Sequence, residues 1–177
     1  MKYLVMCEGP NELEIVRLLL AANKLKFTVD DLLNLVPYHA RQITSSVAVK
    51  NALLLYPGDV NVLRIGDKLN DELKIPKDYK DQIKSVSKYC TKPELEMLLI
   101  ISENKEREFE KVKSHISPKS FSKEHIVYNR HRYDNSTVFY REYYSNRIDL
   151  LVESIRKYKQ HKGKHGHGEG YLADLLK

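Results

Sequence analysis

The stretch that decides the fold is Lys2-Tyr3-Leu4-Val5-Met6-Cys7-Glu8-Gly9-Pro10-Asn11-Glu12. Its apolar run, Tyr3 to Cys7, is five residues long, too short for a buried helix and right for a strand buried on both faces, as in a parallel sheet. Glu8 ends the run and Gly9 lets the backbone turn tightly. Asn11 can cap a following helix, with Glu12 and Glu14 in its first turn, where the helix dipole favours acids. Leu13, Val16, Leu19 and Leu20 then recur at helical spacing and carry that helix to about Asn23.

Further along, a short helix is expected near Asp30 to Leu35, and a second strand within Val36 to His39. A helix over Ser45 to Tyr56 should stop at the turn Pro57-Gly58-Asp59. Val60 to Gly66 reads as a strand ending at Asp67, followed by a polar loop from Lys68 to Tyr79. A strand is then expected over Lys84 to Tyr89 and a helix over Glu94 to Glu103. Strands alternating with helices predict an α/β fold with a small, mainly parallel sheet flanked by helices. Beyond Asn104 the pattern is helical, at 105–115, 136–145 and 148–160, with Pro118 as a separator. The expected organisation is an α/β domain over 1–104 and a helical, basic C-terminal part over 105–177 packed on it. The stretch from His161 to Gly170 reads as a flexible loop rich in His, Gly and Lys.

Charge follows the same division. Residues 1–103 carry 14 Lys and Arg against 14 Asp and Glu, whereas residues 104–177 carry 16 against 10, so the whole net charge of +6 lies in the second part. No apolar run approaches the roughly 18 residues of a membrane span. The N-terminal apolar run is too short for a signal peptide, and Cys7 and Cys90 lack the spacing of a metal or redox pair. A protein of the reducing cytoplasm, with two buried free thiols and no membrane partner, is the expectation.

Three acidic positions stand where an α/β sheet places its ligands: Glu8 and Asp67 at strand ends, and Glu96 with Glu94 at a helix start. Carboxylates converging there would hold Mg²⁺ or Mn²⁺, although acids at helix starts also serve the dipole alone. The first stretch resembles the opening motif of the Toprim family, an apolar strand followed by Glu-Gly, with Glu8 on the family's catalytic glutamate and Glu12 on a less stringent second acid. Lys92 to Leu99 resembles a segment of small, RloB-like Toprim proteins of bacterial phage-defence loci and puts Glu96 on their glutamate. The family's Asp-x-Asp is incomplete here, because Leu69 follows Asp67 in place of the second aspartate, leaving Asp71 or Asn70 as substitutes. The resemblance implies a Mg²⁺- or Mn²⁺-dependent nuclease of phage defence or abortive infection, with Glu8, Asp67 and Glu96 catalytic and Asp71 as an auxiliary metal ligand. Loss of the second aspartate leaves two further readings: a degenerate domain that binds nucleic acid or a partner, and a companion of a separate ATPase or effector.

The C-terminal part supplies the expected clamp on a polyanion. Arg130, Arg132, Arg141 and Arg147 are interleaved with Tyr128, Tyr133, Tyr140, Tyr143 and Tyr144. Guanidinium groups can pair with phosphates and tyrosines can stack on bases. The other reading is that Val138, Phe139, Tyr143 and Tyr144 pack a helix against the core and leave the arginines as its wet face. Lys157, Lys159, Lys162 and Lys164 extend the basic run toward His165 and His167, a weak transition-metal signal.

Overall fold

The computed structural model describes residues 1–67, 71–91, 95–161 and 168–177, with the side chain of His161 also outside the description. Strand β1 (Lys2–Cys7) leads into helix α1 (Pro10–Ala21). Strand β2 (Tyr38–His39), helix α2 (Val47–Leu55) and strand β3 (Val60–Gly66) follow, and then strand β4 (Ile83–Cys90). Helix α3 (Glu96–Ser102) closes the first part, and the C-terminal part adds α4 (Glu106–Val112), α5 (Pro118–His125), the hairpin β5 (Val127–Tyr128) and β6 (His131–Arg132), α6 (Thr137–Tyr144), α7 (Ile148–His161) and β7 (Glu169–Tyr171). Five strands form one parallel sheet in the order β2-β1-β3-β4-β7.

Side chains alternate across a strand, so a strand buried on both faces must be apolar throughout. In β1, Val5 and Cys7 join the cluster formed with α1 and the C-terminal helices. Leu4 and Met6 join a second cluster with Val60, Val62 and the α2 residues Val49, Ala52 and Leu53. The α/β expectation is therefore met, with helices on both faces.

Three local readings are corrected. The cap of α1 is Gly9, with Pro10 in the first helical position, where its missing N–H costs nothing; Asn11 is free for another task. Pro118 opens α5 for the same reason, with the Ser117 hydroxyl accepting from Ser120 N–H, and so marks a helix start rather than a gap. Residues 169–171 of the Gly-rich stretch form β7, paired with Lys88 to Cys90.

Residues 105–177 thus supply a sheet strand, and Leu172, Leu175 and Leu176 are buried in the same cluster as Leu19 of α1. Leu172→Ala should therefore cost about 2–5 kcal/mol, the range for truncating a buried leucine. Urea denaturation should show one cooperative transition with a lowered midpoint. A midpoint within error of wild type would mean that the tail is an appendage.

Candidate functional site

The sheet's C-terminal edge carries the acids because its register delivers them there. Cys7 lies opposite Ile65, and the Glu8 N–H donates to the Ile65 carbonyl at 2.8 Å, continuing the ladder past β1. Gly66 lies opposite Cys90, and Thr91 N–H donates to Gly66 O at 3.0 Å. Glu8, Asp67 and Thr91 therefore end three neighbouring strands. A Cβ on Gly66 would come within 2.5 Å of the Glu8 side chain, and one on Gly9 would collide with the Glu12 carboxylate. The two glycines clear the space into which these acids fold.

Glu12, Asp67 and Glu96 line one polar pocket of about 210 Å³, with Asn11, Leu95, Lys119, Asn135 and Tyr140. Glu8 stands beside it on the β2 side, its nearly buried carboxylate held by Arg41 at 3.1 Å. Burial raises the Glu12 carboxyl above the ordinary carboxylate range, and the charges of Asp67, Glu8 and Glu96 raise it further. Glu12 therefore lies within the field of the other three acids. Thr91 Oγ1 donates to Glu12 Oε1 at 3.5 Å. Glu96, although only 6% exposed, accepts a 2.6 Å hydrogen bond from the Tyr133 hydroxyl, which also lies 3.2 Å from the Tyr140 hydroxyl. Asn11 Nδ2 donates to the Asn135 carbonyl and side chain at 3.3 and 3.2 Å, which leaves Asn11 Oδ1 buried without a partner.

These oxygens are the donors a hard divalent cation takes. Among the described residues, no three His, Cys, Asp or Glu side chains are grouped so as to hold a metal ion as they stand. The donor chemistry fits Mg²⁺ or Mn²⁺, and the orphaned Asn11 oxygen adds a ligand of the same kind.

Of the expected metal residues, Glu8, Asp67 and Glu96 are brought to this edge, together with Glu12. Asp71 is not. Arg64 holds its Oδ1 at 3.1 Å and Gln42 its Oδ2 at 2.9 Å, so both oxygens are engaged. Its slight burial opposes ionisation, but the Gln42 and Arg64 hydrogen bonds prevail and keep its carboxyl below the ordinary range. Leu69, Asn70 and Glu94 lie outside the described residues, as do Lys162, Lys164, His165 and His167.

The expected clamp residues that are described lie at or near the surface, but most are already paired within the chain. Arg141 makes a two-pronged pair with buried Glu14, at 2.6 and 3.0 Å, that ties α6 to α1. Arg147 stacks over Tyr143 and pairs with Glu103. Arg132 donates to the Lys123 and Glu124 carbonyls, Lys157 pairs with Glu153, and Lys159 pairs with Asp174. Arg130 is exposed at the tip of the β5–β6 hairpin, at φ 64, and makes no ion pair among the described residues. Tyr140, Tyr143 and Tyr144 are fully buried and Tyr133 and Phe139 nearly so, which decides for core packing over base stacking at these rings, whereas Val138, expected in the core on that reading, is 48% exposed. Cys7 is buried, and burial pushes its thiol up, consistent with an inert structural cysteine.

Sequence reading missed Asn135 and Lys119, which lie far along the chain, and Arg41, which no motif marks, and it named Tyr133 only as a base-stacking ring, not as the partner of Glu96. Compared with known proteins, the chain matches no family model, no curated protein and no solved structure. Among the described residues, no helix is long and apolar enough to cross a membrane.

Glu12 yields a prediction with a definite sign. A carboxyl raised on folding destabilises the fold once it ionises; the cost is absent at low pH, where folded and unfolded chains are both protonated, and full at high pH. Glu12→Gln should raise the Tm at pH 8 by about 2–4 °C, the size of roughly 1 kcal/mol in a chain of this length. The gain should vanish toward about pH 4. A lowered Tm at pH 8 would show that the carboxylate is favourably paired.

Proposed function

We propose that the chain is a phosphoesterase dependent on Mg²⁺ or Mn²⁺, acting as a nuclease on DNA or RNA. The observation that carries this reading is the gathering of Glu8, Glu12, Asp67 and Glu96 at the C-terminal edge of a parallel sheet, where open α/β folds bind their ligands. Folding alone would not keep four mutually repelling carboxylates together, one of them with a raised pKa; perturbed acids in a cleft mark functional sites. Glu8, Glu12, Asp67 and Glu96 would hold the cation between them. Its chemistry when bound is that of a hard Lewis acid that polarises phosphoryl oxygens.

The remaining residues have roles in the same reading. Tyr133 fixes one oxygen of Glu96 and leaves the other for the pocket. Thr91 orients Glu12, and Lys119 brings positive charge to the pocket wall for a phosphate. A part in phage defence belongs to this proposal and rests on the motif resemblance alone. One observation favours the competing reading of a domain that binds nucleic acid or a partner without turnover: no three acids are yet grouped around a metal position among the described residues.

Cleavage of labelled single- and double-stranded DNA and RNA, with Mg²⁺ or Mn²⁺, separates the two. Cutting should require the cation and fall by about a hundredfold or more in Asp67→Asn, the loss expected when a group essential to the chemistry is removed. Binding without cutting of any substrate would establish the non-catalytic domain instead.

A further inference from the structure

We propose that Arg41 is the phosphate-binding residue of this site, and that in the cation-free protein it is held in reserve on Glu8. The inference rests on the metal-dependent reading above. Arg41 follows β2, the strand beside β1, so the C-terminal edge of the sheet presents Arg41, Glu8, Asp67 and Thr91 in that spatial order. Its Nε lies 3.1 Å from Glu8 Oε1, while its side chain is 63% exposed. Its two terminal amino groups make no hydrogen bond or ion pair among the described residues. One edge of the guanidinium thus touches an acid of the site, and the fork that suits a phosphate faces solvent.

The backbone beneath Arg41 is fixed by an arrangement with no other evident use. Ala40 N–H donates to Cys7 O at 3.0 Å, extending the strand ladder to the residue before Arg41. Arg64, only 4% exposed, reaches the Arg41 carbonyl with Nη2 at 3.5 Å and grips Asp71 through the backbone carbonyl at 2.7 Å and Oδ1 at 3.1 Å. Gln42 donates to Asp71 Oδ2 and the Glu72 carbonyl, and accepts from Lys74 N–H at 2.9 Å. A buried arginine is tolerated only when its donors are matched. Here the matching ties the Arg41 carbonyl, through Arg64, and its neighbour Gln42 to the segment 71–74, while Ala40 is held on β1. Asp71, whose sequence position pointed to the metal, acts instead as a positioning residue for Arg41.

A cation and Arg41 compete for Glu8, because each would neutralise the same carboxylate. With Glu8 engaged by a divalent ion, Arg41 would be released from that carboxylate and could turn its whole fork to a phosphate. A phosphodiester lying along the sheet edge would meet Arg41 at one end and Lys119 at the other, with the acids between.

The competition makes opposite predictions for two ligands in one variant. Mn²⁺ binding to the full chain would be measured by titration calorimetry. Binding of a fluorescent, 5′-phosphorylated DNA oligonucleotide would be measured by anisotropy in Ca²⁺, which takes oxygen ligands as Mg²⁺ does. Arg41→Ala should bind Mn²⁺ more tightly, by about threefold, and the oligonucleotide more weakly, by about tenfold, the loss of one charge-assisted contact. Arg41→Lys should keep Mn²⁺ affinity near wild type and recover only part of the oligonucleotide binding, because it keeps the charge without the fork. Affinities that fall together, or do not move, in an Arg41→Ala protein whose wild type binds Mn²⁺ would make Arg41 a surface salt bridge and overturn the inference, with the metal reading intact. A wild type that takes up no Mn²⁺ would overturn the metal reading itself.

Discussion

Like charges held close together at the end of a buried sheet are the constraint around which this molecule is arranged. Glu8, Glu12, Asp67 and Glu96 repel one another, and Glu12 is taken far enough out of water that its carboxyl is raised. Three of the four acids have a visible device that keeps them in place. Gly66 and Gly9 give room to Glu8 and Glu12 where a Cβ would collide. Arg41 neutralises Glu8, Thr91 steadies Glu12, and Tyr133 supplies Glu96 with a donor in a setting where a bare carboxylate would be costly.

The fold is the means by which residues distant in sequence reach that edge. Three parallel strands end side by side, which puts Glu8, Asp67 and Thr91 within one row. α3 then brings Glu96 up to the pocket, and the segment after the β5–β6 hairpin brings Tyr133 and Asn135 from more than 120 residues beyond Asn11. The C-terminal helices have two tasks in consequence. They bury one face of the sheet, through Phe139, Tyr140, Tyr143 and Tyr144 among others, and they close the pocket's outer wall.

The legible parts of the sequence were those in which one residue pattern has one physical meaning. β1 and β3 could be read residue for residue, because short apolar runs ending in Glu8-Gly9 and Gly66-Asp67 have few other uses. Glu8 and Asp67 followed from those strand ends, and Glu96 from the start of the helix after Pro93. Illegible were features decided by partners. Tyrosines and arginines alternate in residues 128–147 both in a nucleic-acid surface and in a helix whose rings enter the core while its cations pair with Glu14 and Glu103. Only the tertiary contacts choose between them. β7 was hidden in a Gly-rich stretch because its pairing with β4, and not its own propensity, makes it a strand. Asp71 sat at a plausible motif spacing, yet Arg64, seven residues earlier and pointing into the interior, had the stronger need of a carboxylate.

The most direct test of the acidic edge as a cation site is a crystal of the protein soaked in Mn²⁺, with diffraction recorded at the manganese absorption edge. An anomalous peak among Glu12, Asp67 and Glu96, with Arg41 drawn away from Glu8, is the predicted result. An acid cluster that stays unchanged with no peak, while manganese orders elsewhere or not at all, would contradict the view that these carboxylates are kept together for a metal.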